Sequence, residues 1–138
     1  MPYQSTKQLW KNENGDVYQI IITNRTDTTY TENISYKSKG IVDEVTKVDK
    51  GVLTKTKYFY DDAKRIESIL TMNKDGDVIS ETNYRYLDED TYWIESYVDC
   101  ILKQKEKVVI NKSGSIIEKI IIEPKLNRKR IYLTRMIK

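Results

Sequence analysis

The five glycines of this 138-residue chain mark positions at which it reverses direction. Each follows a short polar run and is followed within two positions by Val or Ile. Tight turns require a positive φ, which glycine adopts at the least cost. A polar residue before glycine and a β-branched residue after it therefore predict a turn and then a strand. The five are Gly15, Gly40, Gly51, Gly76 and Gly114.

Further turns are predicted at residues 25–27, 61–64, 88–90 and 124–127, where Asp, Asn or Pro are concentrated. Connections this short allow only neighbouring antiparallel strands, because a parallel crossover needs a dozen or more residues. The sequence thus predicts an up-and-down meander of about ten or eleven strands. The predicted strands are 5–12, 17–24, 28–36, 41–48, 52–60, 65–73, 77–87, 92–99, 101–110, 115–123 and 129–137.

Composition favours the same all-β fold. Ile, Val, Thr and Tyr supply 51 residues, whereas Leu supplies seven and Ala only Ala63. β-Branched and aromatic side chains suit a pleated surface and lose rotamer freedom in helices. With 38% hydrophobic and 33% charged residues, the chain suits a thin sheet with one apolar face and one wet face. We expect a single domain over residues 1–138, either an open curved sheet or a shallow barrel.

Net charge indicates which classes of partner to expect, and the cysteine content and apolar runs indicate the cellular compartment. A net charge of +3 is too small for a dedicated nucleic-acid binder and far from the acidity of a DNA mimic. The single Cys100 excludes an internal disulfide, and no apolar run resembles a signal peptide or membrane span. We therefore expect a cytoplasmic protein with neither nucleic acid nor membrane as partner. The basic residues from Lys125 to Arg130, with Arg135 and Lys138 beyond, are interpreted as a polar turn and a charge-protected edge strand.

Catalytic chemistry is poorly represented. The chain has no His, which excludes Ser-His-Asp, Cys-His and His-zinc sites. Cys100 beside Asp99 is interpreted as a small apolar strand residue. The acidic clusters at residues 61–62 and 88–90 lack the spacing of a glycosidase or calcium site and suit solvated hairpin tips. We expect no enzyme, cofactor or metal; an enzyme that uses only carboxylate, Lys or Tyr groups is a third hypothesis.

An internal repeat of about 25 residues runs through the chain. Aromatic or apolar residues precede a turn and a new strand at intervals of 26, 24, 26 and 24 residues. A unit of this length is one β-hairpin, which cannot bury its face alone and must associate with neighbouring hairpins. The repeating positions are Trp10, Tyr36, Tyr60, Tyr86 and Ile110.

One unit resembles the YD repeat of Rhs-type proteins, Tyr-x-Tyr-Asp-x-x-Gly-Arg followed by Leu or Ile. The match is carried by Tyr58, Tyr60, Asp61, Arg65 and Ile66, whereas residue 64 is Lys where the pattern has Gly. As a looser rhythm the resemblance covers residues 30–120. It implies tandem β-hairpins. Small proteins with degenerate repeats of this kind resemble the immunity, or antitoxin-type, proteins of polymorphic toxin systems.

Surplus aromatic residues near successive hairpin ends provide the candidate binding surface. Tyr and Trp supply contact area at low entropic cost, although cross-strand packing alone also explains such residues. Adjacent acidic tips would steer a basic partner, for instance a nuclease toxin. The predicted partner-binding residues are Tyr58, Tyr60, Asp61, Asp62, Tyr84, Tyr86, Asp88, Glu89, Asp90, Tyr92 and Trp93.

Two hypotheses about function follow. The first is an immunity protein that binds a cognate toxin or effector domain and occludes its active site. The second is a small-molecule or glycan-binding β-domain that uses an aromatic face. Open sheet edges and the run Ile120 to Ile122, apolar on both faces, also suggest a homodimer.

Overall fold

The computed structural model of the protein describes residues 5–24 and 27–133. Eleven strands account for most of this part of the chain, and one 3₁₀ turn at Pro124–Leu126 precedes the last of them. The strands are β1 (Ser5–Lys11), β2 (Val17–Asn24), β3 (Asp27–Ser38), β4 (Ile41–Asp49), β5 (Val52–Tyr60), β6 (Ile66–Asn73), β7 (Val78–Tyr86), β8 (Thr91–Val98), β9 (Ile101–Ile110), β10 (Ile116–Glu123) and β11 (Arg128–Leu133).

The strand order in the sheet is the order of the strands in the sequence, from β1 to β11. Each strand therefore hydrogen-bonds only to the strands before and after it, and β1 and β11 are the two edges. The predicted all-β, antiparallel up-and-down meander is confirmed, and the open sheet is the form observed. Within the described part of the chain, no helix has the length and hydrophobicity that a membrane-spanning segment requires.

The strand ends agree to within a few residues with the turns predicted at Gly and at clusters of Asp, Asn or Pro. β5 spans the predicted 52–60, whereas β3 extends two residues beyond its prediction, to Ser38. The turn predicted at residues 25–27 and the end of the strand predicted at 129–137 lie wholly or partly outside the described residues. Arg135 and Lys138 lie outside them as well.

The chain divides into two compact units. The first comprises residues 1–59 with 71–78, and the second residues 60–70 with 79–138. That the chain forms a single domain stays a prediction.

Each unit has very little buried core. Among the described residues, only three hydrophobic side chains are buried: Val45 in the first unit, and Val108 and Ile121 in the second. Val45 lies between Ile34 on β3 and Thr56 on β5 in the strand register. Burial of this kind comes from neighbouring side chains in a single layer, so cross-strand pairs are the main unit of stabilisation.

Four turns share one hydrogen-bonding pattern. Each begins with an Asn or Asp whose side-chain Oδ1 accepts hydrogen bonds of 2.9–3.1 Å from the backbone N–H groups two and four residues later. The backbone N–H of the same residue donates to the carbonyl four residues on, at 2.9 Å. Such Asx turns reverse the chain direction and hydrogen-bond the end of one strand to the start of the next. The four residues are Asn12, Asp61, Asn73 and Asn111.

The run Ile120–Ile122 is divided between the two faces of the sheet. Ile121 is buried, whereas Ile120 and Ile122 are half-buried. Adjacent residues of a strand point to opposite faces, so Ile121 lies on one face with its partner Glu106, and its two neighbours lie on the other face opposite Lys107 and Lys105.

Candidate binding surface

Three tyrosine rings come together on one face of the β7–β8 hairpin. Tyr86 is the direct cross-strand partner of Tyr92, and their ring centroids are 5.7 Å apart with planes inclined at 43°. Tyr84 lies two residues before Tyr86 on the same face of β7, with its centroid 6.5 Å from that of Tyr92 and a 35° inclination. These spacings are typical of favourable tilted aromatic pairs. We call Tyr84, Tyr86 and Tyr92 the tyrosine cluster.

Tyr86 is fixed by two further contacts. Its hydroxyl donates a hydrogen bond of 2.8 Å to the carbonyl of Ile66, and the guanidinium carbon of Arg65 lies 4.0 Å from its ring centroid. Burial raises the pKa of the Tyr86 hydroxyl, an effect that the nearby Arg65 opposes. A ring held by such contacts loses little conformational entropy when a partner binds it.

Asp61 belongs to the turn that holds Arg65. Its Oδ1 accepts from the N–H groups of Ala63 and Arg65, and its Oδ2 accepts from Arg65 Nε, all at 2.9 Å. The pKa of the Asp61 carboxyl is lowered, and the largest cause is the hydrogen bond from the backbone N–H of Arg65. Asp61 thus positions Arg65, whose guanidinium lies over the Tyr86 ring, whereas its neighbour Asp62 is exposed.

The turn at residues 88–90 places three exposed carboxylates beside the cluster, since it directly joins the strands that carry Tyr86 and Tyr92. Asp88 Oδ1 accepts from the backbone N–H of Asp90 at 2.8 Å, and the carbonyl of Asp90 accepts from Ile110 N–H at 2.8 Å. The structure therefore brings the predicted acidic tip, Asp88, Glu89 and Asp90, to one border of the tyrosine cluster.

Trp93 lies on the opposite face from the cluster. Its cross-strand partners are Arg85 and Lys107, and the ammonium of Lys105 lies 4.8 Å from its ring centroid. A flat partner that covers Tyr92 therefore does not also cover Trp93.

Two other predicted residues, Tyr58 and Tyr60, are half-buried at the end of β5. Tyr58 belongs to the first compact unit and Tyr60 to the second.

The cluster continues across the sheet into residues that the sequence did not single out. Tyr92 pairs with the buried Val108, which pairs with Lys119, which in turn pairs with Tyr132. Lys119 Nζ forms an ion pair of 2.9 Å with Glu106. A β-branched residue on β9 gives no signal of its own, because its burial depends on neighbours from two other strands.

Cys100 occupies a different place from the one predicted. It is exposed and forms a two-residue turn with Asp99, in which both residues have positive φ, 50° and 65°. The interpretation as an apolar strand residue is wrong, because the β8–β9 connection needs these two residues to reverse the chain. In the described ranges, no three His, Cys, Asp or Glu side chains are grouped as metal ligands would be.

Comparison with known proteins gives a likeness of fold. No family model matches the chain, and no curated protein matches it. The fold is similar to the crystal structure of a porin-like protein from Bacteroides uniformis, with a TM-score of 0.53 and 11% identity. The match covers 93% of this chain and 74% of the other. At this identity the likeness concerns the fold alone.

Proposed function

We propose that the protein is a cytoplasmic immunity protein that binds a cognate toxin or effector domain and occludes its active site, without catalysis of its own. The observation that carries the proposal is the tyrosine cluster: on one face of the sheet, the Tyr92 ring forms aromatic pairs with both Tyr84 and Tyr86. Tyr is among the residues that dominate binding energy at protein interfaces.

The acidic tip supports a basic partner. Asp88, Glu89 and Asp90 are exposed, and none of them forms an ion pair with another described residue. Exposed charge at the border of an interface accelerates association with an oppositely charged surface. Toxins that act on nucleic acids carry such basic surfaces around their active sites.

The ring geometry favours a protein over a glycan. A sugar-stacking platform presents aromatic faces in a shared plane, whereas the rings of the cluster are inclined at 35° and 43° to one another. Arg65 also covers a face of the Tyr86 ring. Both features suit an irregular protein surface better than a flat sugar ring.

Co-expression with the toxin domain encoded by the adjacent upstream gene tests the proposal. We expect rescue of growth and a co-purifying complex, and Tyr92→Ala should weaken binding by about 2 kcal/mol in calorimetry. Tyr97→Ala is the matched control, because Tyr97 lies on the same strand and the opposite face.

A second variant separates binding from folding. Glu89 is exposed at the acidic tip, so Glu89→Lys should leave the circular dichroism spectrum unchanged and slow association, most at low salt. The absence of both rescue and a complex would contradict the proposal. Glycan binding without toxin binding would contradict it as well.

A further inference from the structure

The last strand, β11, presents an edge without a partner strand in the described part of the chain, because it ends the strand order. All six of its residues are exposed. A free edge offers a row of backbone N–H and C=O groups to a further strand. Its sequence has two halves: three basic residues, Arg128 to Arg130, and then three apolar or aromatic ones, Ile131 to Leu133.

The basic half carries surplus positive charge. A single carboxylate, Glu123, accepts ion pairs from Arg128 at 2.8 Å and Arg130 at 2.7 Å. The arginine side chains remain 52% and 43% exposed. Lys129 forms no ion pair with any described residue. Two of the three cations thus share one carboxylate, and the third has no ion-pair partner among the described residues, which leaves the edge complementary to acidic groups.

The apolar half lies open on both faces. Ile131 is 57% and Leu133 71% exposed, and they share a face with Ile120, the cross-strand partner of Ile131. Tyr132 lies on the other face, opposite Lys119.

A shallow pocket lies beside Tyr132. Its volume is about 390 Å³, and its lining residues are Ile116, Lys119, Ile121 and Tyr132. The Lys119 ammonium is already paired with the Glu106 carboxylate at 2.9 Å. The pocket therefore offers a ligand mainly apolar and aromatic surface. Such a pocket suits one aliphatic side chain of a neighbouring strand.

We propose that β11 accepts an extended segment of a partner protein as an additional strand. Acidic residues of the segment lie beside Arg128 to Arg130, and an apolar side chain enters the pocket beside Tyr132. Strand addition of this kind takes affinity from backbone hydrogen bonds and specificity from alternate side chains. A second copy of this chain brings the same basic half and no carboxylate in its own β11, so charge complementarity favours an acidic segment.

Fluorescence anisotropy with short labelled peptides tests this inference. The probes are Glu-Asp-Glu-Val-Leu-Val and its reversed sequence, for the parallel and antiparallel orientations, and a version with Lys in place of the three acidic residues. We expect one acidic peptide to bind and the basic one not to bind. Lys129→Glu should weaken binding about tenfold, whereas Lys112→Glu, the same change in the exposed β9–β10 turn, should leave it unchanged.

Backbone pairing has its own readout. N-methylation of the binding peptide at alternate residues removes N–H donors and should abolish binding in the version methylated on the side facing β11. Equal binding of both methylated versions, insensitivity to Lys129→Glu, or no binding by either acidic peptide would overturn the proposal. A concentration-dependent dimer lost in Lys129→Glu would overturn it by showing that a second copy occupies the edge. Tyr92 does not line the pocket beside Tyr132 and is separated from Lys119 by Val108 of β9, so Tyr92→Ala should bind these peptides normally whatever the outcome with the toxin.

Discussion

The hydroxyl of Tyr86 donates a 2.8 Å hydrogen bond to the carbonyl oxygen of Ile66, the first residue of β6. The same arrangement occurs in the first unit, where the Tyr36 hydroxyl donates to the carbonyl of Val17, the first residue of β2. In each case a tyrosine near the end of a strand ties down the start of an earlier strand. The repeat seen in the sequence thus has a physical role at two of its positions.

Removal of that hydroxyl should destabilise the fold. We expect Tyr86→Phe to lower the free energy of unfolding by about 1 kcal/mol, because a part-buried carbonyl loses its hydrogen bond. Urea denaturation measures the change. Tyr18→Phe is the control, since the Tyr18 side chain is exposed and its hydroxyl has no hydrogen bond to a described residue. Equal effects in the two variants would contradict the role assigned to the Tyr86 hydroxyl.

The Asx turns should contribute to stability individually. Asn111 Oδ1 accepts from the N–H groups of Ser113 and Ser115, both at 3.0 Å. Asn111→Ala removes this acceptor and should cost about 1 kcal/mol in the free energy of unfolding. Lys112→Ala changes another residue of the same turn and leaves the Asn111 acceptor in place, so it should have no measurable effect on the free energy of unfolding. A similar loss of stability in Lys112→Ala would contradict the prediction.

The β8–β9 turn should be improved by glycine. Cys100 adopts a φ of 65°, a conformation that costs a residue with a Cβ about 1 kcal/mol or more. We expect Cys100→Gly to raise the free energy of unfolding by about 0.5 kcal/mol, after the greater entropy of unfolded glycine is taken into account. Cys100→Ser keeps the Cβ and removes the thiol. A gain in Cys100→Ser as large as in Cys100→Gly would show that the thiol, and not the backbone, is responsible.

Asp61 should make stability depend on pH in the acid range. Its hydrogen bonds from Arg65 and Ala63 lower its pKa in the folded state from the ordinary value of 3.8. The stabilisation is therefore complete above pH 3.8 and is lost as the pH falls through the lower folded-state value. Urea midpoints measured from neutral pH down to about pH 2 should show this loss.

Asp61→Asn isolates the carboxylate charge. The amide keeps an Oδ1 acceptor like those of Asn12, Asn73 and Asn111, so the turn should persist while the acid-range dependence is reduced. Asp62→Asn makes the same change at the exposed neighbour and should keep the dependence. An unchanged acid profile in Asp61→Asn would remove Asp61 as its source.

Turn positions could be predicted from the sequence because their cause is local. Gly76, for example, has a φ of 86°, and a glycine flanked by polar and β-branched residues indicates that conformation without reference to the rest of the chain. The Asx residue that begins each of the four matching turns, such as Asn73, was a second local signal. This Asx residue lies three positions before the residue with positive φ. In the turn that begins at Asp61, that residue is Lys64, which adopts a φ of 63° although it is not glycine.

The grouping of the site residues required the tertiary structure. Tyr92 and Trp93 were predicted to act together, although neighbours on one strand point to opposite faces, as the structure shows; what the sequence did not reveal is which residues of other strands meet Tyr92. Tyr86 and Arg65 are far apart in the sequence, and strand register brings them into contact. Which face a side chain occupies changes with a slip of one residue in register, so no local pattern specifies it reliably.

The sequence by itself determined an all-β meander, because short spacing between turns leaves antiparallel neighbours as the only pairing and β-branched residues favour strands. The tertiary structure decided which few side chains are buried and which edge and faces remain open. Burial of Val108 depends on Tyr92 and Lys119 from the two adjacent strands. Burial in a single-layer sheet is a property of three strands together, and the sequence of one strand does not contain it.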